Sequence, residues 1–80
     1  MSNREKYLQA FKECFDVDEK EAKNLKYEDI PAWDSVGHMD LIATLEDEFD
    51  IEMETDDIID FNSFQKGIDI LKKYDVEIDA

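Results

Sequence analysis

Asp34, Ser35 and His38 place the three residue types of a hydrolytic triad within five consecutive positions. That chemistry needs nucleophile, base and orienting acid in line, with an oxyanion hole beside them. Side chains spaced one and three residues apart on a single helical turn do not make such a line. The chain also has no Gly-x-Ser-x-Gly elbow. His38 shares a face with Leu41, Ile42, Leu45 and Phe49, which makes it part of an apolar stripe rather than a free base. Metal chemistry is as poorly supplied. One His and one Cys are too few for a zinc site, and Asp56-Asp57…Asp60 has neither the spacing nor the central glycine of a calcium loop. Cys14 has no partner for an internal disulfide and reads as a small hydrophobe. No catalytic or metal-ligating residue is assigned, and an enzyme is not expected. Asp34-Ser35 remains, and its local meaning is a helix start: an Asp cap with a serine on the first turn.

Four helical stretches must position that start. In the first, Ser2 or Asn3 caps and Tyr7, Leu8, Phe11, Cys14 and Phe15 follow at helical spacing. From Asp16 to Pro31 the period breaks, which predicts a long connection anchored by Leu25, Tyr27 and Ile30. The second helix is expected from Asp34 or Ser35 to about Phe49. Its outer face carries Val36, Asp40, Ala43 and Asp47, with Glu46 at the flank. Asp50-Ile51-Glu52-Met53 alternates but is too short for a sheet. Thr55 followed by Asp56 and Asp57 predicts a capped short third helix with apolar contacts from Ile58 and Ile59. The fourth starts near Asn62 or Ser63, with an Asn62–Gln65 capping box, and turns Phe64, Gly67, Ile68, Leu71 and Tyr74 to one side. The expected architecture is one all-α domain over residues 1–80, a bundle of three main helices plus one short one. Repeats, low-complexity segments and linkers are absent from the sequence.

Charge narrows the function further. The 80 residues hold 23 acids and 9 bases, a formal net charge of −14. Residues 1–26 contain six of each sign, while residues 27–65 contain thirteen acids and no Lys or Arg. Such a surface repels phosphate backbones and anionic lipid, so nucleic acid and membranes are not expected as partners. Thirty-nine residues without a base forgo every local salt bridge, which suits a face meant for a basic partner. With 42% hydrophobic and 11% aromatic residues and two glycines, the chain should nonetheless fold. No signal-peptide pattern follows Met1, and a soluble, cytoplasmic monomer is expected.

Trp33-Asp34-Ser35-Val36-Gly37-His38-Met39, continued by Leu41-Ile42, Leu45-Glu46-Asp47-Glu48-Phe49-Asp50-Ile51, Thr55-Asp56-Asp57-Ile58 and Ser63-Phe64…Ile68, resembles the acyl carrier protein family from Trp33 onward. The first helix fits that family by pattern only. The resemblance implies an acyl-carrier-like bundle in which Ser35 bears 4′-phosphopantetheine, taken from coenzyme A, whose thiol holds an acyl or aminoacyl group as a thioester. Asp34 would cap the helix and hold Ser35 exposed. The implied partners are a phosphopantetheinyl transferase, an acyl- or aminoacyl-loading ligase, and downstream transferases or synthases with basic docking patches. They would meet Val36, Asp40, Ala43, Glu46 and Asp47. Family members usually read Asp-Ser-Leu; Val36 keeps an apolar residue beside the arm. Trp33 and Gly37-His38-Met39 look less like housekeeping fatty-acid carriers than like stand-alone carriers of amino-acid, polyketide or surface-polysaccharide pathways. Gly37, a bare α-carbon two residues from the arm, would let the prosthetic group or a partner approach closely, or else has no such role. The competing expectation is an unmodified acidic interaction module or inhibitor that fills a basic groove and does not need Ser35.

Overall fold

A computed structural model describes residues 2–78, and among them the chain forms five helices and no strand: an all-α protein. Helix α1 (Asn3–Phe15) starts where Ser2 accepts the Glu5 amide at 3.2 Å. It ends at Asp16, in the left-handed region at φ 54°. Its inward stripe of Tyr7, Leu8, Ala10, Phe11 and Phe15 is buried, with Cys14 half-buried at the edge. The stripe packs chiefly on the third helix.

The connection after α1 is long, as the broken period predicts, but it is not irregular throughout. It contains a short helix, α2 (Glu19–Lys23), which makes the helix count five where four were expected. Five residues with one buried side chain, Ala22, are too few to show a 3.6-residue period. Local polar bonds specify α2 instead. Asp18 accepts the Glu21 amide at 2.8 Å while the Asp18 amide reaches Glu21 Oε1 at 3.5 Å, a reciprocal capping box. Glu19 adds ion pairs to Arg4 at 3.1 Å and Lys23 at 3.2 Å. The strand-like strap that follows is tied to a segment much later in the chain. The Tyr27 amide donates to Asn62 O at 2.8 Å and the Phe64 amide to Leu25 O at 3.0 Å.

Helix α3 (Ser35–Phe49) has the predicted bounds, with Asp34 as its cap and Leu41, Ile42 and Leu45 buried. Helix α4 (Thr55–Asp60) departs from expectation at both its start and its face. Thr55 is its first helical residue, Glu54 occupies the cap position, and no side chain bonds the free amides. Ile58 is half-buried but Ile59 is 70% exposed, and the buried residue of α4 is Asp57. Helix α5 (Phe64–Lys72) is capped by Ser63, whose hydroxyl accepts the Lys66 amide at 3.0 Å. That register puts Gln65 one position too early to pair with Asn62, and its amide donates to Lys23 O at 3.4 Å instead. Phe64, Gly67, Ile70 and Leu71 are buried on α5. Val76 and Ile78, beyond the helix, complete the core. No described helix is long and apolar enough to cross a membrane.

Candidate functional site

The start of α3 is built on Trp33. Its indole is fully buried, stacked on Phe15 at 5.1 Å between ring centroids and edge-on to Phe11 at 5.5 Å. Burying a ring of this size anchors the backbone that enters α3. The buried indole N–H needs an acceptor, and His38 Nδ1 supplies one at 3.0 Å. Because Trp33 can only donate, Nδ1 carries no proton, and the proton on Nε2 is donated to Ile58 O at 2.8 Å. Both ring nitrogens are thus engaged, one with the segment before α3 and one with α4. His38 is a structural link and does not stand as a base on Ser35.

Asp34 accepts the Gly37 amide at 2.8 Å, the bond expected of a cap. Ser35 and Val36 follow as the first two helical residues, where no backbone carbonyl is available to their amides within the helix. Both side chains are exposed, Val36 at 70%. Gly37 does not leave an opening for an arm or a partner. A Cβ there would lie 1.9 Å from Ala32 O and 3.3 Å from the Phe15 ring, so the glycine lets α3 press against the preceding backbone. The space is already filled.

Ser35 lines one side of an open, mainly apolar cleft of about 360 Å³ between α3 and α4. Tyr27, His38, Met39, Ile58, Ile59, Phe61 and Asn62 form the rest of it. Met39 (53% exposed) and Ile59 stand at the mouth, and together with Val36 they are the large apolar side chains most open to solvent. Apolar spacing places Ile59 among the packed contacts and Val36 and Met39 off the buried stripe, and does not bring Met39 and Ile59 together. The signal available was Met39, one turn beyond Ser35 and off the buried stripe.

The outer face of α3 presents Asp40, Ala43 and Asp47 to solvent, in line with Val36. Glu46 is turned partly inward, its carboxylate accepting the Met53 amide at 2.9 Å and fixing the turn out of the helix. Of the thirteen acids in residues 27–65, Asp57 is the one that forms a salt bridge among the described residues, to Lys73 Nζ at 2.9 Å. Asp57 also accepts from Tyr74 Oη at 2.5 Å, and Tyr74 in turn accepts the Glu54 amide at 2.9 Å. The Tyr74 hydroxyl and then the Lys73 ammonium hold the Asp57 carboxyl below the ordinary carboxylate range. Burial pushes the Cys14 thiol up, away from the thiolate form that would react. Among the described residues no group of three or more metal-ligating side chains occurs. No protein-family model matches the chain, and no curated protein or solved structure matches it either.

Proposed function

We propose that the protein is an acyl or aminoacyl carrier whose Ser35 bears 4′-phosphopantetheine. The observation that carries the proposal is the position of Ser35: exposed, first in a fifteen-residue helix, behind an Asp cap, at the edge of an apolar cleft. In loading, Ser35 Oγ would attack the β-phosphorus of coenzyme A. The bond to the departing adenosine 3′,5′-bisphosphate breaks, and the serine proton passes to a base of the transferase. The engagement of His38 with Trp33 and Ile58 fits this division of labour, in which the chain supplies no base of its own. The phosphodiester left on Ser35 is an anion at a helix N-terminus, where the Ser35 and Val36 amides and the dipole favour it. When attached, the group supplies a thiol that holds the cargo as a thioester.

The family likeness of Trp33–Ile51 and the bundle it implies support the same reading, as does the charge of the face around the serine. Val36 would be the apolar contact for a docking enzyme. Asp40 and Asp47, with Glu46 to the extent its bond to Met53 permits, would meet Lys and Arg on the transferase, the loading ligase and downstream transferases or synthases. Such a carrier works as a monomer in the cytoplasm, where coenzyme A and its partners are at hand.

The test is the intact mass after incubation with coenzyme A and a broad-specificity phosphopantetheinyl transferase. A gain of one phosphopantetheine that disappears in Ser35→Ala is expected. No gain, or a gain that survives in Ser35→Ala, overturns the proposal. Undiminished binding of a basic partner by Ser35→Ala, with no arm on protein from native cells, would favour the unmodified acidic module.

A further inference from the structure

The interior behind Trp33 is occupied by packed aromatic rings. Trp33, Tyr7, Phe11 and Phe61 are at most 1% exposed, and their rings interlock with Phe15 and Phe64. The packing rejects even a methyl group at one point. A Cβ on Gly67 would lie 2.2 Å from Tyr7 Oη and 2.3 Å from Phe61 Cζ. A core at this density admits extra atoms only by forcing side chains from their rotamers.

The cleft of about 360 Å³ is a different space, open to solvent and bounded inward by His38 and Phe61. Its outer wall is α4, and polar pins fix that wall. His38 Nε2–H holds Ile58 O at 2.8 Å, while Asp57 is held by Tyr74 and by Lys73 at 2.9 Å. Both pins must break before α4 can swing aside to join the cleft to the core. The volume lies near the lower end for small-molecule sites, with apolar walls from Met39 and Ile59 and polar atoms of Ser35 and Asn62 at the rim.

The geometry points to a carrier of compact cargo: a short, branched or aromatic acyl or aminoacyl group rests in the α3–α4 cleft, and no long alkyl chain enters the interior. This rests on the carrier reading for the tether at Ser35. A long chain has nowhere to go but water, and each methylene left outside the cleft adds apolar surface in contact with solvent.

Two parallel series test it. In the first, a transferase loads the wild-type chain from coenzyme A thioesters of isovaleryl, benzoyl, octanoyl and lauroyl groups, with mass confirming each product. In the second, Ser35→Cys in a Cys14→Ser background is alkylated with maleimides bearing a branched five-carbon or a straight twelve-carbon group. Backbone amide spectra are then compared. The compact groups are expected to move the signals of Met39, Ile58, Ile59 and Asn62. Lengthening the chain should add nothing at Trp33, Leu41, Leu45 or Leu71 and leave the melting temperature unchanged. Ile59→Asp, at an exposed site, should abolish the shifts made by the compact groups. Shifts at those four buried residues that grow with chain length, with a rising melting temperature, overturn the inference. So does the absence of any cleft shift with a compact group. If the transferase loads nothing, the carrier reading falls alone, and the thiol-linked series still decides whether the cleft or the core takes the chain.

Discussion

Ser35 and His38 lie three residues apart and answer different questions. The Ser35 hydroxyl is free to be modified, whereas His38 is occupied on both nitrogens by Trp33 and Ile58. His38→Ala should therefore still gain the arm from a transferase, yet it leaves the buried Trp33 N–H without its acceptor. That loss should cost about 1–3 kcal/mol, read as a lower denaturant midpoint. A hydrolase built on Asp34, Ser35 and His38 would instead lose its esterase turnover on this substitution. Gly37→Ala pits two effects against each other. Alanine gains about 1 kcal/mol of helix propensity over glycine, but its Cβ would meet Ala32 O at 1.9 Å, and backbone there cannot swing aside like a side-chain tip. The clash wins. Net destabilisation of about 1–3 kcal/mol is expected, and at about 4–8 °C per kcal/mol for a domain of this size a melting curve resolves it.

Among the helices, α4 differs in how it is held. It has no side-chain cap, and the residue it buries is a carboxylate rather than an aliphatic. Its attachment is therefore polar and sensitive to pH. Tyr74 first, then Lys73, stabilise the ionised form of Asp57, so its folded value lies below the unfolded one near 4. The stabilisation is complete above that unfolded value and is lost as pH falls through the folded value. Asp57→Asn should lower the melting temperature at neutral pH, and the gap to wild type should close in strong acid. A constant gap across that range would show that Asp57 acts by shape alone. At the alkaline end the raised value of Lys73 means its share is lost as pH rises through it. Which parts of these elements were legible follows from what specifies them. Helices α1 and α3 bury long stripes, so apolar spacing and the Ser2 and Asp34 caps found them with their bounds. Helix α2 rests on the Asp18–Glu21 box within a charged segment, and no stripe announces it. In α4 an Ile-Ile pair suggested apolar contacts, but the turn aims Ile59 at solvent because Asp57 is drawn inward by Tyr74, seventeen residues ahead. The exposure of Ser35 could be inferred from the cap beside it. The cleft could not, since Tyr27, Phe61 and Asn62 reach it only through the strap that binds Tyr27 to Asn62.

At the scale of the molecule, acid is segregated rather than merely abundant. The arms of the chain on either side of residues 27–65 hold all nine bases, and two of the three described ion pairs lie within the first 26 residues. The α3 face is left uncompensated. Exposed charge pairs with a docking enzyme are each worth about 1 kcal/mol or less, so several must act together and salt must weaken them. Asp40→Lys combined with Asp47→Lys should slow loading by a transferase several-fold at low salt, with the difference shrinking as salt rises. Unchanged rates at low salt would move the docking surface elsewhere. The fold also carries its own reporter. Trp33 is the single tryptophan of the chain, locked between Phe15 and the His38 imidazole two residues before Ser35. Its fluorescence therefore comes from one defined place, the base of the helix that presents the serine. Attachment of a group at Ser35, a cargo settling in the cleft, and unfolding of the core should each leave a separate optical trace, in a protein that needs no label to be watched.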